Sequence, residues 1–312
     1  MQNAECIVVD DGSTDRTKEV VLEAGFAQLL LMGRRCGSAA ARNAGAAAAV
    51  GEILVFVDAD TTVHEDTLDK IAAAFREDSG LGAVIGRYDD APSAKGFYSQ
   101  YRNLLHSHVH ATSPRRGYTF WTGCGAIRRE IFLAQGGFEE SPCHIDDVEF
   151  GGKAARAGVR IELRPDIQVK HLKKWTFVST LRTDLFLRGI PWTMLILEER
   201  RMPDALNVSY PNRFSVALTC LAAVLLASAT LAPLGFLAAL LCVAITLCVN
   251  RKFYSFLRHA GGTAFAARGA AAHLLHFLVC GAAFAAGILW FAARSSERRA
   301  AVSPVLANES GD

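Results

Sequence analysis

Short apolar runs alternate with helix-like segments through the first part of the chain. Strands are predicted at 6–9, 26–31, 53–57 and 82–85, where the runs are rich in β-branched and other apolar residues. Between them, helices are predicted at 16–24, 37–49 and 67–76, with stops at Gly25 and Gly51. This order of strands and helices predicts an α/β fold with a doubly wound sheet.

Two longer apolar runs lie near the C-terminus and contain no charged residue: 214–249, with 36 positions, and 269–293, with 25. A helix needs about 20 apolar residues to cross a bilayer. We therefore predict membrane helices near 214–232, 234–250 and 271–293, with a turn at Ala232-Pro233-Leu234-Gly235. A pair of buried core helices is the alternative, which runs of this length disfavour.

Charge and composition refine this division. Residues 213–312 contain eight basic and three acidic residues, a net +5, so residues 1–212 carry −3 of the total +2. Basic residues lie between the second and third predicted helices and before the first: Arg251, Lys252, Arg258, Arg268, Arg200, Arg201 and Arg213. By the positive-inside rule, these predict an inner or plasma membrane protein, multi-pass, with its N-terminal domain in the cytoplasm.

The flanks of the apolar region are less regular. Arg294, Arg298 and Arg299 follow the last predicted helix and argue against an outside C-terminus, which leaves the number of helices at two or three. Residues 176–213 combine aromatics, leucines and arginines, so we expect interfacial or linker helices there. Residues 294–312 are expected to form a polar tail. The eight scattered cysteines indicate neither a disulfide framework nor a zinc site.

Two carboxylates follow the apolar run at 53–57, in the segment Asp58-Ala59-Asp60. In an extended segment residues i and i+2 point to the same side, so both acids can reach one point. Ligands of parallel sheets bind beyond the carboxyl ends of the strands. Paired carboxylates there suit Mg²⁺ bound to substrate phosphates. Strand-ending aspartates are also common in turns, which is the alternative for this pair alone.

A second acidic pair, Asp10 and Asp11, follows the first predicted strand in the same way. We therefore expect both pairs at one edge of one sheet. Two independent occurrences at the same topological place favour a binding site over chance.

The segments 8–15 (V-V-D-D-G-S-T-D), 41–45 (A-R-N-A-G) and 56–60 (F-V-D-A-D) resemble the nucleotide-binding half of the family 2, GT-A fold glycosyltransferases. The resemblance continues through 122–129, 136–140 and 146–150 and covers nearly all of residues 6–175. It implies a GT-A type glycosyltransferase domain over residues 1–175, with a doubly wound mixed sheet, followed by a membrane domain of two to three helices over 214–293.

The resemblance also implies a donor site. Asp10 and Asp11 would contact the base and ribose of a UDP- or GDP-sugar, with Arg42 and Asp58 in the same nucleotide site. Asp58 and Asp60 would hold Mg²⁺ or Mn²⁺ against the diphosphate, where a cation stabilises the charge that develops on the leaving group.

Asp146 and Asp147 resemble the acidic pair that supplies the family's general base, and Asp147 aligns with the base itself. A carboxylate near an acceptor hydroxyl can remove its proton as the oxygen attacks C1, which inverts the anomeric centre. The alternative is a capping box, Asp146-x-x-Glu149, at the start of a helix that runs to Gly158. The two roles are compatible, because a helix N-terminus keeps a carboxylate ionised.

Two further segments are candidates for acceptor or diphosphate contacts. Gly123, Cys124 and Gly125 let a backbone approach closely, although a plain turn is the alternative. A second group lies where processive members of the family carry Q-x-x-R-W: His171, Lys174 and Trp175. The motif itself is missing, which disfavours a processive polymerase, and a solvated basic face is the alternative for this segment.

The sequence differs from the family pattern at its start. Family members carry a strand and a helix before the V-V-D-D-G-S segment, and this sequence starts at the second strand. We therefore expect the first strand to be missing, either because the start codon lies further upstream or because the chain is a fragment. In either case the backbone of residues 6–9 would lack a partner on one side.

Together these features predict an inverting glycosyltransferase that moves a sugar to a hydroxyl of a lipid, polysaccharide or other membrane-proximal acceptor. The alternative is a catalytically inactive membrane protein that retains the fold as a binding or scaffold module. No nucleic-acid partner is expected.

Overall fold

The computed structural model describes residues 4–140, 145–228 and 234–308, with side chains as far as residue 294. The chain divides into two units, Met1–Lys174 and Trp175–Asp312. The predicted turn at 232–235 lies partly outside the described residues, which continue from Leu234.

The first unit alternates strands and helices, as the hydrophobic pattern predicts. Its strands are β1 (Ile7–Asp10), β2 (Gln28–Leu31), β3 (Ile53–Phe56), β4 (Thr61–Val63), β5 (Ala83–Tyr88), β6 (Gly125–Arg128) and β7 (Ile161–His171). Its helices are α1 (Thr17–Ala24), α2 (Ser38–Ala48), α3 (Thr67–Glu77), α4 (Phe97–Thr112), α5 (Arg129–Ala134) and α6 (Asp146–Arg156). The predicted elements are present, with ends that differ by a few residues.

The strands form two sheets. β1 and β2 pair in parallel, and the other five form a mixed sheet in the order β3-β6-β5-β7-β4. Within it β5 and β7 are parallel, whereas β6 is antiparallel to both β3 and β5. The prediction of a mixed α/β sheet is confirmed.

The expectation that both acidic pairs lie at one edge of one sheet is wrong for the described strands. β1 and β3 each occupy the end of a different sheet, so no hydrogen-bonded ladder joins them. Helix α2 lies between them in sequence, and Gly45 of that helix allows the close approach of Val9 of β1. Helix α2 therefore packs on β1, and the structure shows no shared sheet edge between the two acidic pairs among the described strands.

The core of the first unit lies between the five-stranded sheet and α3. Its buried cluster includes Phe75 of α3, Val84 of β5, Ala126 of β6 and Ile167 of β7. These side chains come from three neighbouring strands and one helix, and so fix the ends of β5 and β7 relative to each other. Both strands end at residues of the site described below.

The second unit is helical. It comprises α7 (Phe177–Arg182), a π-helical segment (Thr183–Gly189), α8 (Ile190–Glu199), a short 3₁₀ turn (Leu206–Val208), α9 (Tyr210–Ser228), α10 (Leu234–Val249) and α11 (Arg251–Asn308). Gly262 interrupts α11 with a φ of 82°, a left-handed conformation that glycine adopts without steric cost.

Two of these helices, Tyr210–Ser228 and Arg251–Arg294, are long and apolar enough to cross a membrane, and Leu234–Val249 is a shorter apolar helix. Length and composition alone are weak evidence for spans. The third predicted helix was expected to begin at 271, whereas α11 begins at Arg251. The basic residues of 251–268 kept that stretch out of the predicted span, but arginine, lysine and alanine all favour helix, so the helix starts earlier.

Candidate active site

Arg42 of α2 joins two of the predicted acidic motifs. Its Nη2 donates to Oδ1 of Asp58 at 2.7 Å, and its Nη1 donates to Oδ2 of Asp146 at 2.8 Å. The guanidinium also lies over the ring of Phe138, 5.9 Å from its centroid. The planar fork of arginine suits two carboxylates at once. One side chain therefore connects the end of β3 with the start of α6.

The bridge is shielded from solvent, with side-chain exposures of 21% for Arg42, 29% for Asp58 and 8% for Asp146. Burial alone would lower the pKa of Arg42. The charges of Asp58 and Asp146 outweigh burial and hold this pKa above its ordinary value. Such a half-buried network is costly to break, because removal of the cation leaves two carboxylates facing each other.

Asp60, the other acid of the D-x-D motif, faces a histidine and a lysine instead of Arg42. Its Oδ2 lies 3.8 Å from Nε2 of His171 and 3.6 Å from Nζ of Lys173. The His171 imidazole lowers the pKa of Asp60 more than burial raises it, and Lys173 adds to the lowering. Backbone pairing fixes the contact, since the amide of Leu172 donates to the carbonyl of Asp60 at 2.8 Å.

Lys173 is absent from the predicted site. It lies two residues after His171, which ends β7, and residues i and i+2 share a side of a strand. That spacing was the available signal.

Asp10 and Asp11 hold the backbone around the β1 end. Oδ1 of Asp10 accepts a hydrogen bond from the amide of Ser13, whose hydrogen bonding lowers the pKa of Asp10. The two carboxylate oxygens of Asp11 accept from the amides of Cys36 and Gly37, at 2.6 and 2.8 Å. Asp11 therefore fixes the loop that leads into α2, the helix that carries Arg42. Their predicted contacts with the base and ribose stay a prediction.

Asp146 and Asp147 begin α6, as predicted, and differ in their surroundings. Asp146 is 6% exposed and bound to Arg42. Asp147 is half-buried, and its Oδ1 accepts from the amide of Val148 at 2.8 Å. The predicted capping hydrogen bond is not observed, because the N-cap is Ile145, which has no side-chain acceptor.

A turn at Gly136, Gly137 and Phe138 is tied to α2 through Asn43. Oδ1 of Asn43 accepts from the amide of Phe138 at 2.9 Å, and Nδ2 donates to the carbonyl of the same residue at 2.8 Å. Gly137 has a φ of 70°, and a Cβ there would lie 2.6 Å from Oδ1 of Asn43. Asn43 was not among the predicted site residues, although it belongs to the A-R-N-A-G motif.

The segment at Gly123, Cys124 and Gly125 is tightly packed. Side chains at the two glycines would overlap Trp121 and Phe120. The Cys124 side chain is 1% exposed, and burial raises its pKa to about 12. Cys124 is therefore a neutral core thiol, and the predicted acceptor contact stays a prediction for the backbone of this segment.

The last two predicted residues lie at the boundary between the units. Lys174 ends the first unit and is exposed, whereas Trp175 begins the second and is half-buried. Their predicted contacts with a diphosphate or acceptor stay a prediction.

Metal binding by Asp58 and Asp60 stays a prediction: Asp58 accepts a hydrogen bond from Arg42, whereas Asp60 faces His171. Asp60 and His171 could together hold a divalent cation. A carboxylate oxygen and an imidazole nitrogen face each other at 3.8 Å, and the Asp60 side chain is 40% exposed. Among the described residues no cluster of three or more His, Cys, Asp or Glu side chains could hold a metal. A cation here would need oxygen ligands from a substrate, as Mg²⁺ usually takes from phosphates.

The sequence of the chain is similar to those of known proteins. Residues 1–134 match the family model for glycosyl transferase family 2. The chain is 32% identical over 104 residues to the glycosyltransferase GlyG of Streptococcus pneumoniae, covering 32% of this chain and 34% of GlyG. It is 32% identical over 172 residues to the glycosyltransferase AglE of Haloferax volcanii, covering 52% and 55% of the two chains.

Among solved structures, the fold resembles that of the mannosyltransferase PcManGT from Pyrobaculum calidifontis in complex with GDP-Man and Mn²⁺. The TM-score is 0.52 at 21% identity, over 90% of this chain and 77% of PcManGT. The chain spans about a third of GlyG and about half of AglE. The motifs, the mixed sheet and these similarities together show an N-terminal unit of the GT-A fold, in which residues 1–134 match glycosyltransferase family 2.

Proposed function

We propose that the protein is an inverting glycosyltransferase that moves a sugar from a nucleotide-diphosphate sugar to a hydroxyl group, with the help of Mg²⁺ or Mn²⁺. The observation that carries the proposal is the Arg42 bridge, which holds Asp58 of the D-x-D motif and Asp146 of the base motif within reach of one guanidinium. The two motifs are 88 residues apart in sequence and meet in one half-buried site.

The donor end of the site is assigned to Asp60, His171 and Lys173. Asp60 and His171 would hold the cation, and its bound charge would stabilise the nucleoside diphosphate as it leaves. Lys173 adds a positive charge within 3.6 Å of Asp60. PcManGT, which shares the fold, was solved with GDP-Man and Mn²⁺, and this supports a nucleotide sugar and a divalent cation.

Asp147 is assigned as the general base. Asp146 is occupied by Arg42 and almost fully buried, whereas Asp147 is more exposed and also lies in the first turn of α6. The helix dipole stabilises its ionised form. Asp147 would take the proton of the acceptor hydroxyl as that oxygen attacks C1. The bond between C1 and the diphosphate oxygen breaks, and its electron pair leaves with the diphosphate.

The acceptor is proposed to be a lipid or a polysaccharide close to a membrane. Exposed apolar side chains cover α10, with Leu234, Leu237 and Leu241 each at least 62% exposed. Such a surface suits contact with lipid. The basic residues of 251–268 favour an orientation in which the first unit is cytoplasmic.

The test uses detergent-solubilised full-length protein. Release of UDP or GDP is measured for a panel of UDP- and GDP-sugars with Mn²⁺, with Mg²⁺ and with chelator. We expect metal-dependent release from at least one donor, and loss of release in Asp60→Ala. Binding of a nucleotide with no turnover on any donor and acceptor would instead favour the inactive scaffold.

A further inference from the structure

A stack of rings lies directly behind His171. The Tyr88 ring, at the end of β5, is nearly parallel to the His171 imidazole, with centroids 4.1 Å apart and 11° between the planes. Parallel register between β5 and β7 aligns Tyr88 with Val169 and so brings the two rings together. Both side chains are buried, at 9% exposure for Tyr88 and 6% for His171.

The Tyr88 ring is itself held on its other sides. Trp121 packs edge-on against it at 4.9 Å, and His106 of α4 contacts it at 4.4 Å. His106 stacks in turn on His110, whose Nδ1 lies 2.9 Å from the carbonyl of Gly86 in β5. The stack is thus anchored to the sheet backbone, which leaves the Tyr88 ring little freedom to move.

A flat ring at van der Waals distance prevents rotation of the imidazole about its Cβ–Cγ bond, so Nε2 stays directed at Asp60. A buried ligand with a fixed direction loses little entropy when it binds a cation, and residues behind metal ligands commonly set affinity in this way.

We propose that Tyr88 is a positioning residue, which sets the affinity of the Asp60–His171 pair for a divalent cation by fixing the His171 imidazole. The inference rests on the proposed function, because it takes Asp60 and His171 as cation ligands. It adds that the aromatic stack, and not only the ligands, determines how tightly the cation binds.

The experiment measures Mn²⁺ binding by electron paramagnetic resonance on full-length protein, with UDP and with GDP in separate titrations. Tyr88→Leu removes the flat ring, and we expect the Mn²⁺ dissociation constant to rise about 10-fold. Tyr88→Phe keeps the ring and is expected to bind Mn²⁺ like the wild type. If Tyr88→Leu does not fold, Tyr88→Met takes its place, because the flexible methionine side chain adapts to an irregular gap.

Phe75→Leu is the matched control. Phe75 belongs to the same buried cluster as Tyr88 and is 5% exposed, and its ring packs against the guanidinium of Arg128. This variant should lose stability like Tyr88→Leu and keep the wild-type Mn²⁺ affinity. Equal weakening in Phe75→Leu would reduce the effect to general destabilisation and overturn the proposal.

The same titrations separate the role of Tyr88 from the metal assignment of the proposed function. If the wild type binds Mn²⁺, Asp60→Ala does not, and Tyr88→Leu binds as tightly as the wild type, the role of Tyr88 is refuted and the proposed function stands. If the wild type binds no Mn²⁺ with either nucleotide, the metal assignment of the proposed function is wrong, and the role of Tyr88 falls with it.

Discussion

At the scale of single residues, Arg42 is the side chain that joins two acidic motifs of the site. It is the common partner of Asp58 and Asp146, and no lysine can reproduce its two-pronged geometry. Sequence alone placed Arg42 in the nucleotide site by resemblance. The bridge itself could not be predicted, because it depends on three segments that meet only in the folded chain.

Replacement of Arg42 by methionine should therefore lower both stability and activity. Removal of one partner from a half-buried charge network costs about 3–5 kcal/mol, which corresponds to a fall on the order of 10 °C in melting temperature. Arg42→Lys should retain part of the stability, because the charge remains, and still lose most of the activity. Melting temperature and donor turnover are measured together.

Arg16→Met provides the control for Arg42. Arg16 pairs with Glu23 on the surface, with side-chain exposures of 77% and 68%, and such pairs contribute little. Arg16→Met should have the melting temperature and the donor turnover of the wild type. An Arg42→Met protein with unchanged activity would show that the bridge has no part in the reaction.

The contribution of Asp60 to the stability of the folded protein depends on pH. The pKa of Asp60 in the folded protein lies below its ordinary value, mainly because of His171. Its ionised form therefore contributes stability above the unfolded pKa, near 3.8, and this contribution is lost as pH falls through the folded pKa. Between about pH 5 and about pH 3, we expect the melting temperature of the wild type to fall further than that of Asp60→Asn. Parallel curves would contradict the assignment.

At the scale of elements, α6 positions the base motif through a contact with neighbouring backbone. Gly151 lies where a Cβ would overlap the backbone of Thr119 and Phe120, so α6 packs directly on that segment. The amide of Phe120 also donates to the carbonyl of Asp147 at 3.2 Å. The start of α6 is thus fixed to the segment that leads into β6.

Gly151→Ala should displace α6 and with it Asp146 and Asp147. Overpacking of this kind costs about 1–3 kcal/mol. We expect a moderate fall in melting temperature and a large loss of turnover, because the base moves. Gly80→Ala is the control, since a Cβ there meets only the Arg160 side chain and Asp78 at ordinary distances. Wild-type turnover in Gly151→Ala would contradict this role for the contact.

The sequence predicted most elements and missed their assembly into two sheets. The predicted elements have local signals: β-branched runs, alanine-rich helices, and Gly25 as a left-handed C-cap with a φ of 70°. Strands β4, β6 and β7 and helices α4 and α5 were not predicted. Pairing partners have no such local signal. Strand β3 pairs with β6, which lies some 70 residues further along the chain. The partner strand of β3 therefore could not be deduced from the residues of β3 alone.

At the scale of the whole molecule, the second unit should hold the protein in a membrane. We expect the full-length chain to stay with the membrane fraction after alkaline carbonate washing. Leu237 of α10 is 62% exposed, and an arginine at this site would cost about 2.5–3.5 kcal/mol in a bilayer. Leu237→Arg should therefore reduce the membrane-bound fraction. Leu133→Arg, at an exposed leucine of α5, should not. Equal behaviour of the two variants would contradict a bilayer location for α10.

We propose that Asp147 acts as the base in a sugar transfer organised by Arg42. The most direct test compares wild type with Asp147→Asn, which keeps the shape of the side chain and removes its basicity. We measure binding of the nucleotide by calorimetry and transfer from the active donor. General base catalysis contributes about 10²–10⁴-fold, so we expect Asp147→Asn to bind the nucleotide like the wild type and to transfer at a rate reduced at least about 100-fold. Transfer at the wild-type rate would contradict it.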